Sequence, residues 1–133
     1  MKTKLALGTA ALALLLASVP VMAHHSFAAE FDSAKPIKMT GSVTKIEWMN
    51  PHAYFYIDVK DDKTGQTANW GLEMGSPNGL MRQGWTRNSM KIGDMVTVEG
   101  SAAKDGSNIG NARSVSLASG QRLFAGSSQQ TNP

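Results

Sequence analysis

The residues best suited to metal chemistry in this chain are its three histidines, which lie at two places. His24 and His25 are adjacent, and His52 directly follows the Asn50-Pro51 dipeptide. If export processing ends after Ala23, the mature chain begins with His24. Its α-amine and Nδ1 can then chelate one ion, and neutral imidazole is a good ligand for copper, nickel and zinc. With His52 as a third nitrogen donor, the pattern predicts a copper(II) site.

The third ligand of this predicted site is left open by the sequence. His25 can replace His52 as that ligand, or it can orient a neighbouring ligand as a hydrogen-bond partner. A simpler interpretation needs no metal. The adjacent histidines can be a solvated pair at a mobile terminus, and His52 can bond a backbone carbonyl in its hairpin. Cleavage one residue away would also remove the His24 chelate.

The methionines also allow two interpretations. Six lie beyond residue 23: Met39, Met49, Met74, Met81, Met90 and Met95. Soft thioether sulfur selects Cu(I), so Met49 or Met74 could support copper handling near the histidines. The six are nevertheless spread along the chain without a Met-x-x-Met cluster, which favours filling gaps in a core.

The first 23 residues have the pattern of a secretory signal. Lys2 and Lys4 form a basic head, residues 5–16 are a Leu- and Ala-rich run, and Val21 and Ala23 are the small residues of a cleavage site. The apolar run is too short to cross a bilayer, which argues against an uncleaved anchor. We therefore expect a periplasmic or secreted protein without a stable membrane span after processing.

Composition narrows the possible functions further. The formal charge of +3 falls to near +1 once Lys2 and Lys4 are removed, and no basic stripe is visible. On this ground we expect no nucleic-acid partner. The chain has no cysteine, so disulfides, thiolate metal sites and thiol nucleophiles are excluded. Neither a Ser-His-Asp order nor a phosphate-binding glycine loop stands out, so the pattern does not predict an enzyme.

Residues 24–126 are predicted to form a single, mostly β domain, followed by a disordered tail at 127–133. Alternating residues or β-branched runs predict strands at 38–48, 53–59, 66–74, 95–99, 112–117 and 121–124. Ser76-Pro77 predicts the start of a short helix that ends near Gly84. Three strands, a helix and two or three further strands match a small OB-like barrel of five to six strands. A three-on-three β-sandwich is the main alternative.

Several motifs resemble those of a family of small exported bacterial proteins of unknown function. They are the mature start His24-His25-Ser26-Phe27, the segment Trp48-Met49-Asn50-Pro51-His52, the Gly75-Ser76-Pro77-Asn78 turn, Gly84-Trp85-Thr86, Gly93-Asp94, Gly110-Asn111-Ala112-Arg113 and Arg122-Leu123-Phe124-Ala125-Gly126. The resemblance covers nearly the whole mature domain. It implies an exported, compact β-barrel and brings no activity with it.

Aromatic residues support a second hypothesis about function. Tyr54 and Tyr56 alternate with apolar residues, so both are predicted to point away from the core. OB-type folds bind ligands on the exposed face of strands two and three, where aromatic side chains stack on them. The candidate ligand-binding residues are Trp48, Tyr54, Tyr56, Trp70 and Trp85. The alternative to a copper-binding module is therefore a metal-free domain that binds a saccharide, a peptide or a partner protein.

Overall fold

A computed structural model describes residues 26–126, so the predicted signal, His24, His25 and the predicted tail lie outside the described residues. The chain divides into two compact units, Met1–Glu30 and Phe31–Pro133. In the first unit the described element is a five-residue helix, α1 (Ser26–Glu30). The sequence patterns did not predict this helix, since five residues are too few for an apolar period to show.

The second unit contains six strands and one helix. They are β1 (Phe31–Glu47), β2 (Tyr54–Lys60), β3 (Thr67–Glu73), α2 (Pro77–Arg82), β4 (Met95–Ala103), β5 (Ile109–Ser116) and β6 (Arg122–Phe124). The helix lies between the third and fourth strands, as predicted.

The strands form one sheet in the order β3-β2-β1-β4-β5-β6, and β3 also pairs with β5. This last pairing is parallel and joins Gly71–Glu73 to Ile109–Asn111, whereas the other pairings are antiparallel. It closes the first five strands into a barrel. A five-stranded barrel with a helix after the third strand has the OB topology. The predicted OB-like fold is confirmed.

The core lies inside this barrel and follows the alternation along β2 and β3. Phe55 and Ile57 of β2 and Leu72 of β3 are fully buried, and Val96 and Val98 of β4 face them. Because side chains alternate across a strand, Tyr54, Tyr56 and Asp58 must point to the outside of the barrel. The core packing thus decides which residues of β2 can meet a ligand.

Strand β1 is longer than the sequence predicts and begins at Phe31 rather than near residue 38. Its pairing with β4 shifts register between Asp32 and Pro36. Proline has no amide hydrogen and is tolerated at such a bulge. A strand can therefore continue through a segment whose sequence does not predict a strand. Buried Phe31 fixes the start of the strand.

Helix α2 begins as the sequence predicts. The Ser76 side chain accepts a hydrogen bond from the amide of Gly79, and Pro77 occupies the first turn. The helix ends at Arg82, and Gly84 adopts a φ of +97° that favours glycine. The helix carries buried Leu80 against the barrel core.

Candidate functional site

His52 lies in the six-residue connection 48–53 between β1 and β2, which contains a cis Asn50-Pro51 bond. Its side chain is 34% exposed, and its Nδ1 lies 3.2 Å from Oε1 of Glu73. Glu73 is the last residue of β3, and 8% of its surface is exposed. A half-exposed imidazole is therefore held from one side by a buried carboxylate.

Glu73 also accepts a hydrogen bond from Tyr54, whose hydroxyl lies 2.7 Å from Oε2. Antiparallel pairing places Tyr54 directly opposite Glu73, and His52 precedes Tyr54 by two residues. Each carboxylate oxygen thus has one partner. Burying a carboxylate is costly unless it is paired in this way, so the three side chains depend on one another.

The contact with Glu73 has a chemical consequence for His52. A carboxylate beside Nδ1 favours the proton on that nitrogen and leaves the lone pair on Nε2. Metal-ligating histidines are commonly oriented by a carboxylate at the other ring nitrogen. The arrangement can therefore present Nε2 as a fixed nitrogen donor at the surface.

A second cluster of polar side chains, formed by Lys45, Glu47 and Tyr56, lies on the same outer face of the barrel. Lys45 Nζ is 2.6 Å from Oε1 of Glu47, and the Tyr56 hydroxyl donates to Oε2 of Glu47 across 3.3 Å. The lysine hydrogen bond lowers the pKa of Glu47, and Glu47 in turn raises the pKa of Lys45. Burial, followed by the charge of Glu47, raises the pKa of Tyr56. These groups satisfy one another without a ligand.

The ring of Tyr56 has Lys45 over one face and lies close to Gly71. Lys45 Nζ lies over the ring, 5.2 Å from its centroid, in cation–π geometry. A Cβ added to Gly71 would lie 3.0 Å from the Tyr56 Cε1 atom. Gly71 therefore lets the ring lie against the sheet. A flat ligand that stacks on the face of Tyr56 next to Lys45 must displace the lysine.

The structure does not gather the five predicted aromatic residues on one face. Trp85 is 2% exposed and donates its Nε1 hydrogen to the Phe124 carbonyl across 2.8 Å. Trp70 pairs with core residue Ile57 and so faces inward, and Trp48 packs partly buried against the core. Tyr54 and Tyr56 remain as the outward aromatic pair.

Two of the six methionines are buried, three are exposed, and Met39 is partly buried against the core. Met74 and Met90 are 2% and 4% exposed and line a small, shallow hollow together with Trp48 and Trp85. They fill the core, as one interpretation of the sequence expected. Met49, Met81 and Met95 are 50%, 51% and 55% exposed, respectively. Filling a core does not explain these three.

One of the three predicted copper ligands lies within the described residues. His52 is described, whereas His24 and His25 lie outside the described residues. Within residues 26–126, no three His, Cys, Asp or Glu side chains are arranged to hold a metal ion. Glu73 is the site residue that sequence reasoning missed as a partner of His52. The signal that finds it is the cross-strand register, which a single strand pattern does not contain.

The fold and these contacts define a small OB-type β-barrel with an anchored surface histidine. The chain belongs to a family of unknown function (DUF6152), whose model matches residues 11–112. The predicted membership of a family without known function is thereby confirmed. No curated protein matches this chain.

The chain is similar to a solved structure of the mitochondrial single-stranded DNA binding protein Rim1 from S. cerevisiae. The two share 14% identity at a TM-score of 0.49, over 62% of this chain and 92% of the other. At this level the likeness assigns no ligand to the present chain. Our expectation of no nucleic-acid partner rested on net charge, and it was wrong to exclude that class on this ground, because single-stranded nucleic acid is also bound by aromatic stacking. Among residues 26–126, no helix is long and apolar enough to cross a membrane.

Proposed function

We propose that this protein is an exported metal-binding module that takes copper(II) on Nε2 of His52. The observation that carries the proposal is the contact between His52 Nδ1 and buried Glu73, which Tyr54 also bonds. A ligand fixed in this way loses less freedom on binding than a solvated imidazole does. The preference for copper comes from the all-nitrogen donor set proposed from the sequence.

The other proposed donors come from the mature N-terminus. They are the α-amine and ring of His24, with His25 as an alternative ligand or an orienting neighbour. Export and processing after Ala23 belong to the same proposal, because the amine of His24 is free only after that cleavage. A periplasmic or secreted location follows from the signal pattern of residues 1–23.

The test is a copper(II) titration of the exported protein, after mass spectrometry has confirmed that the chain begins at His24. We expect one ion per chain, and a loss of about tenfold to 100-fold in affinity for Glu73→Gln, the range for partners of metal ligands. His52→Ala should lose at least as much. Electron paramagnetic resonance should show one fewer coupled nitrogen in His52→Ala.

A matched control separates the amine from the rings. One glycine placed before His24 keeps all three histidines but moves the α-amine away from the His24 ring. Binding that weakens with this extension and with His24→Ala supports the terminal chelate. Affinity unchanged by His52→Ala would refute the proposal, because His52 would then be a bystander.

The alternative function is a metal-free module that binds a saccharide, a peptide or a partner protein through Tyr54 and Tyr56. One observation favours it: both rings point outward at alternate positions of β2, next to Lys45 and Glu47. A ligand that stacks on the lysine-covered face of Tyr56 must displace Lys45. An oligosaccharide array probed with wild-type protein and Tyr56→Ala tests this function, and a fluorescent single-stranded oligonucleotide tests the nucleic-acid class in the same format.

A further inference from the structure

The three exposed methionines differ in their surroundings. Met81 lies on α2 and Met95 at the start of β4, whereas Met49 lies in the same six-residue connection as His52. Half of the Met49 surface is exposed, so this side chain does not pack in the core. His52 is also the one histidine of residues 26–126. A soft sulfur and an anchored nitrogen thus share one short loop.

The geometry of the connection brings the two residues close together. Three peptide units separate Met49 from His52, so their Cα atoms are at most roughly 11 Å apart even in an extended chain. The chain cannot be extended there, because β1 and β2 pair antiparallel and Glu47 lies opposite Tyr54. Met49 and His52 therefore flank a chain reversal within one short connection.

The thioether of Met49 and the imidazole of His52 together favour a softer ion than the all-nitrogen donors of the proposed copper(II) site do. Thioether sulfur selects Cu(I) over harder ions, and imidazole nitrogen accepts copper in either oxidation state. The Glu73 contact is made by His52 Nδ1, so Nε2 is the ring nitrogen left for an ion, on a side chain that is 34% exposed. A carboxylate close to the ring also favours a cation at that ring electrostatically.

We infer that the connection between β1 and β2 is a binding site for a soft monovalent ion, Cu(I), with Met49 Sδ and His52 Nε2 as its ligands. This inference rests on the proposed role of His52 as a metal ligand. It adds an oxidation state and a sulfur ligand that the terminal nitrogen donors do not require. The mature protein can accordingly hold copper in a reduced form on residues of the barrel alone.

Silver(I) is the probe, because it resembles Cu(I) in its preference for sulfur and does not undergo oxidation in air. The protein is labelled with ¹³C at the methionine methyl groups and titrated with silver nitrate. We expect the Met49 methyl and the His52 ring signals to move together at one equivalent. Met49→Leu should lower silver affinity about tenfold or more while keeping the size and apolarity of the side chain.

Met81→Leu and Met95→Leu are the matched controls, because both remove an equally exposed thioether. They should bind silver as the wild type does. Equal movement of the Met49, Met81 and Met95 methyl signals would overturn the inference, since the ion would then bind any exposed thioether. A Met49→Leu protein with wild-type silver affinity would overturn it as well.

The two proposals fail in different ways. If His52→Ala loses copper(II) and Met49→Leu keeps silver(I), the proposed function stands and the Cu(I) site does not. If silver binding depends on Met49 and His52 while copper(II) does not bind, the loop site stands and the copper(II) function falls. If neither ion binds, both proposals are wrong.

Discussion

Glu73 occupies a position at which a carboxylate needs partners. It ends β3, is largely removed from solvent, and has His52 on one oxygen and Tyr54 on the other. An unpaired charge buried this deeply would destabilise the folded state by roughly several kcal/mol, because it loses its hydration. The two partners therefore stabilise the fold and fix the imidazole with the same contacts. Stability and the presentation of His52 are linked at this residue.

Removing the hydroxyl of Tyr54 tests this link. Tyr54→Phe should lower the free energy of unfolding by about 1–3 kcal/mol, because Glu73 loses a hydrogen bond in a buried setting. Urea denaturation measures the change. The matched control is Tyr56→Phe, whose longer bond goes to the more exposed Glu47 and should matter less. Equal losses of unfolding free energy in the two variants would show that the burial of Glu73 does not determine the effect of removing the hydroxyl.

The sequence is informative about single residues and silent about pairs of distant ones. It singles out His52 by residue type and by its place after Asn50-Pro51. It cannot show that Glu73 faces His52, because that depends on β2 and β3 pairing with Tyr54 opposite Glu73. A shift of one residue would turn Glu73 to the other face of the sheet. Pairing register was therefore the missing information.

At the scale of elements, β4 and β5 meet at a bulge where no side chain fits. Their register shifts between Glu99 and Gly100. A Cβ at Gly100 would lie 1.8 Å from the carbonyl oxygen of Asn111. Such a contact with backbone cannot be relieved by a change of rotamer, so the strands must separate locally. The close approach explains why glycine occupies this position of β4.

Gly100→Ala should therefore destabilise the barrel by more than about 3 kcal/mol, at or above the usual cost of overpacking. Gly106→Ala is the control, since its Cβ would meet open space and only its φ of +78° is unfavourable. That conformation costs about 1–2 kcal/mol for a residue with a side chain. Thermal unfolding of the two variants measures the difference. Similar melting temperatures would mean that β4 and β5 adjust to the added carbon.

Element prediction succeeded where one face is buried and failed where the backbone is irregular. The alternation around Phe55 and Ile57 placed β2 to within a residue. The N-terminal part of β1 contains Pro36 at a register shift. Gly110 is the second residue of β5, and Ile37 and Leu72 lie close to it. Glycine and proline are usually taken as turn signals in a sequence. A strand that contains them at a bulge or a close contact is therefore predicted to be shorter than it is.

At the scale of the whole molecule, one cluster of charges connects four strands. Glu99 of β4 contacts Lys38 of β1 at 3.6 Å, Ser114 of β5 at 3.2 Å and Arg122 of β6. The Ser114 hydrogen bond, and then the charge of Arg122, lower the pKa of Glu99. The cluster holds the short strand β6 against the sheet from the outside.

The lowered pKa gives this cluster a defined pH dependence. The stabilisation by Glu99 is complete above the ordinary carboxyl value of 4.5 and disappears as the pH falls through the lowered folded value. Wild type should therefore be more stable than Glu99→Gln at neutral pH, and the difference should vanish on acidification. Urea melts across this range measure it, with Asp62→Asn, in an exposed turn, as the control. A difference that persists in acid would exclude the charge as its source.

The pairing of β3 with β5 that closes the barrel is short, Gly71–Glu73 against Ile109–Asn111, and Glu73 belongs to it. The residue that anchors His52 is thus also part of the closing seam. Any ion held by His52 and the closure of the barrel are then thermodynamically linked through Glu73. If closure raises the affinity for the ion by some factor, the ion favours closure by the same factor.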